Sequence, residues 1–114
     1  MQFLFIKIID IKYKKDIFLA LESVEINKAS YMEGYNLDKV LTDELPIFKG
    51  LFGLEESESK KVVIITALVK QKSQVQEFLE ILKESGLDIE NKEILRLMTW
   101  PLDMVFAPNL EEIK

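Results

Sequence analysis

The side chains able to move protons, hold metals or bind charge are few in kind here. Histidine and cysteine are both absent. Within this chain that excludes thiol nucleophiles, Ser-His-Asp triads, disulfide frameworks and His- or Cys-ligated metals. What remains is carboxylates and cations. Asp10 ends an apolar run near the start and Asp103 follows one near the end; lying together, such a pair could do acid–base work or hold a divalent cation. No third group is marked out, and aspartates at strand ends commonly cap turns, so no catalytic residue and no metal ligand is assigned. The richer set is cationic: Lys60, Lys61, Lys92 and Arg96 are the candidates for binding an anion. Their ordinary alternative is charge balance, with Lys60 and Lys61 offsetting Glu55, Glu56 and Glu58 and Arg96 in an ion pair. Arg96 sits among Ile94, Leu95, Leu97 and Met98, so its donors must find acceptors somewhere.

The elements that must position these residues follow from hydrophobic periodicity. Two apolar, β-branched runs, 3–9 and 62–69, are too short for long buried helices and read as strands. Both alternating faces of each are apolar: Leu4, Ile6 and Ile8 against Phe3, Phe5 and Ile9, then Val63, Ile65 and Val69 against Val62, Ile64 and Leu68. A strand covered on both faces is central in its sheet. Each run precedes an amphipathic stripe, first Ile17, Phe18, Leu21 and Val24, then Val75, Phe78, Leu79 and Leu82, with helical spacing. Ser73 with Gln76 reads as the capping box of the second helix, and Gly86 as its left-handed stop. Weaker strands follow at 28–35 and 93–100.

The order is therefore β-α-β, a long connection, and β-α-β. This duplication predicts an α+β ferredoxin-like βαββαβ sandwich, a four-stranded antiparallel sheet with two helices on one face. It also leaves an apolar sheet face uncovered, which is unusual on a monomer and points to a homo-oligomer. The length of 114 residues suits one domain, expected over 1–106 with a frayed tail at 107–114. The excess of 20 acids over 15 bases argues against nucleic-acid partners, which need a basic face. Positions 1–10 have neither basic leader nor small-residue cleavage site and read as strand rather than signal peptide. The apolar runs fall short of the ~20 residues that span a bilayer. A cytoplasmic protein without direct membrane insertion is expected.

The connection, 36–61, is longer than a compact domain needs. Its first part, 38–45, suits a helical turn or two. Segment 45–54 is apolar, with Pro46 suited to a helix start and Gly53 to a stop. Ile47, Phe48, Leu51 and Phe52 would either dock into a partner protein or fold back over their own subunit or a neighbour. Segment 55–61 is charged. Gly34, at the entry of this connection, reads either as a plain turn glycine or as a position whose backbone takes a conformation that other residues would resist. Tyr31, Tyr35 and Trp100 are candidates for an aromatic wall beside a ligand, or else for core and interface.

This plan, the long loop after Tyr31-Met-Glu-Gly-Tyr35 and the closing Leu97-Met-Thr-Trp-Pro-Leu-Asp-Met104, resembles the PII-like proteins of the nitrogen regulatory P-II superfamily. More narrowly, Gly34-Tyr-Asn-Leu-Asp-Lys-Val-Leu41 with Leu45-Pro-Ile-Phe-Lys-Gly-Leu51 is similar to an uncharacterised branch that carries a glycine turn and a Pro-Ile-Phe segment in this loop. The resemblance implies a trimer with ligand clefts between subunits. There a small anionic ligand, an adenine nucleotide in the family, would meet Gly34, Tyr35, Lys60, Lys61, Lys92 and Arg96. It also implies signalling to an unidentified target protein through loop 36–61. The family's glycine-rich, basic phosphate loops are replaced here by Gly34-Tyr-Asn-Leu-Asp38 and Ser85-Gly-Leu-Asp-Ile-Glu-Asn-Lys92. Phosphate cradles need donor density and close backbone approach, so weak ATP binding is expected. The alternative is an interaction module with a fixed docking loop and no ligand. In limited proteolysis of the free protein, the first cut is expected between Glu55 and Lys61, while 46–54, rich in apolar area, stays intact.

Overall fold

The computed structural model describes residues 1–37 and 61–109. It contains β1 (Gln2–Ile8), a 3-10 turn (Ile11–Tyr13), α1 (Lys14–Ser23), β2 (Ala29–Tyr35), β3 (Lys61–Val69), α2 (Lys72–Glu84) and β4 (Leu95–Pro101). The expectations for 38–45, 45–54 and 55–60, with Lys60, Ile47, Phe48, Leu51 and Phe52, lie outside the described residues.

The four strands form one antiparallel sheet in the order β2-β3-β1-β4. The two most apolar strands are thus the inner ones, as two-sided hydrophobicity requires. On the helix face, Leu4, Ile6 and Ile8 stand opposite Ala67, Ile65 and Val63. Ile17, Ala20 and Leu21 of α1 and Val75, Phe78 and Leu82 of α2 bury against them in one core. Phe18 and Leu79, which share the predicted stripes, pack only at the core's margin. The architecture is the ferredoxin-like α+β sandwich.

The ends of the two helices show how sequence sets element boundaries. At the start of α2 the cap is Gln71, two residues before the expected Ser73. Gln71 N–H donates to Gln74 Oε1 at 3.2 Å, and Ser73 Oγ donates to the Gln71 side chain. Gln74 serves twice, its Nε2 also donating to the Val24 carbonyl at the end of α1, 3.2 Å away. That bond ties the two helices together. Both helices end in the same motif. In α2, Leu87 N–H donates to Leu82 O and Gly86 N–H to Lys83 O, with Gly86 at φ +93. In α1, Ile26 N–H donates to Leu21 O and Glu25 N–H to Glu22 O, and the left-handed residue is Glu25 at φ 64. Beyond α2 the chain is held back by Lys83, whose Nζ lies 2.8 Å from Glu90 and 3.6 Å from Glu80. Its ammonium is held above the ordinary lysine range, chiefly by the hydrogen bond to Glu90.

One turn position thus carries a side chain where its counterpart carries none. A left-handed residue other than glycine costs about 1–2 kcal/mol, offset in part by the greater chain entropy of glycine. Glu25→Gly is expected to stabilise the fold by about 0.5–1 kcal/mol, and Gly86→Ala to destabilise it by about 1 kcal/mol. Urea melts of the two variants beside the parent check both signs.

Candidate functional site

One end of the sheet gathers most of the candidate residues. The C-terminal ends of β2 and β1 meet the N-terminal ends of β3 and β4 there, because all neighbours are antiparallel. Tyr35 pairs with Lys61 and Gly34 with Val62 across β2 and β3. Lys92 precedes β4 in a turn, its N–H donating to Asp88 O at 3.1 Å, and Ile94 O accepts from both Ile9 and Asp10 N–H. The entry and exit of connection 36–61 therefore stand side by side, with Lys92 and Arg96 two strands away at the same end.

The pleat divides this set. Side chains alternate between faces, and the register puts Lys61 and Tyr35 on the side of the helices, Gly34 and Arg96 on the open side. Within one chain Lys61 and Arg96 do not share a face. Arg96 already has an acceptor: its Nε and Nη2 each lie 2.8 Å from Glu93 Oε1. Both partners are largely exposed, so the pair contributes well under ~1 kcal/mol to stability. The ordinary reading of Arg96 as an ion-pair residue is what the geometry displays.

Three other expectations change in the fold. Gly34 is a strand residue, not a turn, and a Cβ built there would meet only Val62 Cγ2 at an ordinary 3.7 Å. Neither strain nor crowding demands a glycine. The aromatic wall does not form either. Tyr31 packs on Phe18 on the helix side, ring centroids 5.1 Å apart, whereas Trp100 packs on Phe3 across the open face at 4.9 Å, on the opposite edge strand. Asp10 and Asp103 stand at opposite ends of the sheet, since Gln2 pairs with Pro101 and Ile8 with Leu95. The six steps from Gln2 to Ile8, at ~3.3 Å per strand residue, already separate the two ends by about 20 Å. Asp10 instead caps the 3-10 turn, accepting from Lys12 N–H at 3.3 Å. Among the described residues no group of acids is placed to hold a metal ion.

Two features escaped sequence reasoning. A cleft of about 160 Å³ lies between α1 and the start of β2, lined by Phe18, Leu21, Ile26, Tyr31 and Ile65 with Glu22 beside them. It brings residues of α1, β2 and β3 together, a tertiary fact with no local signal. The second is Lys7, half-buried on the open face directly opposite Arg96. Its signal was present: a cation in the alternation Phe3, Phe5, Lys7, Ile9.

Because Gly34 is extended and uncrowded, Gly34→Ala is expected to leave stability unchanged or raise it by up to about 1 kcal/mol, as for alanine in any strand interior. A thermal melt checks this, and a larger loss would mean that the backbone at 34 needs more freedom than an extended strand does.

No protein-family model matches the chain, and no curated protein matches it in sequence. Solved structures do resemble it. CutA1 from Pyrococcus horikoshii superposes with a TM-score of 0.54 at 16% identity, covering 100% of this chain and 99% of that one. The periplasmic divalent cation tolerance protein CutA from Archaeoglobus fulgidus gives 0.55 at 11% identity, with 99% and 95% covered. A protein described as PII-like and signalling, from Thermus thermophilus, gives 0.48 at 10% identity, with 87% and 84% covered. At these identities the CutA likenesses establish the fold and its full-length correspondence, and nothing about ligand or partner.

Proposed function

We propose that the chain is a homo-oligomeric regulatory module of the PII-like kind. It would sense a small anionic ligand at clefts between subunits and signal to a partner protein through loop 36–61. The observation that carries this reading is the open sheet face. Phe3, Phe5, Ile64 and Leu68 are only half-buried there, and Met32, Met98 and Trp100 are 55%, 50% and 44% exposed. An apolar surface of this kind on inner and edge strands alike calls for a covering partner, and a second and third copy of the same chain supply one.

Closure of copies over the open face would also address the division of the cations. Lys61 and Tyr35 on one side of the sheet edge and Arg96 on the other cannot meet within a chain, but can across a subunit boundary. The regulatory reading includes no catalytic residue and acts in the cytoplasm. Among the described residues no helix is long and apolar enough to cross a membrane. The pairing of Arg96 with Glu93 favours a second reading, an interaction module that assembles in the same way but binds no ligand.

Phe5→Asp, which places a carboxylate in the middle of the open face, is expected to break assembly. Light scattering checks the mass of parent and variant, and a parent that is monomeric at all concentrations would remove the basis of this reading. If the parent assembles, a metabolite that slows proteolysis of 36–61 supports the ligand-sensing reading. Unchanged cutting across a panel of nucleotides, 2-oxo acids and bicarbonate favours the interaction module.

A further inference from the structure

The open sheet face is largely apolar, and its charged side chains are all cationic. Lys7 of β1 stands opposite Ile64 of β3 on one side and opposite Arg96 of β4 on the other, so two cations are adjacent in the pleat. Like charges placed directly opposite on neighbouring strands repel. Nothing within the sheet relieves them: the strand positions on this side, from Phe3 and Phe5 to Met98 and Trp100, include no acid. Glu93 reaches Arg96 only, and it does so through one carboxylate oxygen on one side of the guanidinium. Among the described residues the Lys7 side chain has neither hydrogen bond nor ion pair, although the residue is half-buried.

We propose that Lys7 and Arg96 form an oxyanion site on the open face, completed when copies of the chain close over it. The inference rests on the assembly proposed above and adds the site, its residues and its ligand class. Covering this face removes water from an ammonium that has no counter-charge, which is strongly unfavourable unless an anion accompanies it. Each further copy adds its own excess cation to the same interior. A tetrahedral oxyanion of the phosphate class suits the pair. The ammonium acts as a compact point charge with three rotatable donors, while the guanidinium offers its remaining N–H groups in a planar fork. Lys7 has no place in the set of Lys61, Lys92 and Arg96 at the sheet end, so the site is distinguishable by mutation.

The test uses inorganic phosphate as the probe and the full chain as the sample, in chloride buffer at constant ionic strength. Calorimetric titration is run beside light scattering on the parent, Lys7→Met and Glu93→Gln. Methionine suits the apolar face, so the first variant is expected to keep its assembled mass while losing at least tenfold in phosphate affinity. Glu93→Gln, which releases Arg96, is expected to bind phosphate more tightly than the parent. An assembled parent without saturable phosphate uptake, or a Lys7→Met variant that binds as the parent does, overturns the anion site and leaves the assembly standing. A parent that is monomeric throughout overturns the assembly, and with it the claim that the site is completed between copies.

Discussion

The antiparallel pair β1–β3 is the constraint from which the rest of the structure follows. Seven consecutive residues of β1 face seven of β3, from Gln2 opposite Val69 to Ile8 opposite Val63, and both strands are apolar on both sides. Burying each leucine or isoleucine of one side contributes about 1.5–3 kcal/mol, which explains why α1 and α2 present stripes of matching width to Leu4, Ile6, Ile8 and Ile65. With two helices committed to that side, nothing in the described chain covers the other. On that other side Val62 is buried, whereas Phe3, Phe5, Ile64 and Leu68 are only half-buried among the described residues.

Around this pair the two halves of the chain repeat one construction with different residues. Each helix ends in paired backbone bonds to its last turn and a left-handed residue, Gly86 in one half and Glu25 in the other. Repetition of geometry without repetition of sequence marks the turn as the shared physical requirement and the glycine as one way of meeting it. The halves are then locked by Gln74, whose amide caps its own helix with the oxygen and the preceding helix with the nitrogen.

Charge on the open side sets what the molecule can bind. Apolar residues there favour contact with another copy, whereas Lys7 and Arg96 oppose dry closure. These demands are compatible if an anion occupies the interior. On the proposal made above they account for a cation beside Phe3 and Phe5 on β1, and they separate Arg96, already engaged with Glu93, from Lys61, which lies on the helix side.

Much of the fold was legible in the sequence because periodicity is a local property. Strands of period two and stripes of period 3.6 identified β1, β3, α1 and α2, their two-sided burial put β1 and β3 in the middle, and Gly86 marked the end of α2. The site was legible only in part. Gly34, Tyr35, Lys61, Lys92 and Arg96 do gather at one end of the sheet, but which face each occupies depends on strand register, and register is decided by pairing between segments far apart in the chain. The same reason undid the Asp10–Asp103 pair and the aromatic wall of Tyr31, Tyr35 and Trp100. Residue types announced what each strand could bury and which charges were available, whereas the antiparallel order β2-β3-β1-β4 decided which of them stand together. Only that order brought Lys7 against Arg96, because a cross-strand neighbour 89 positions away in sequence leaves no trace in local pattern.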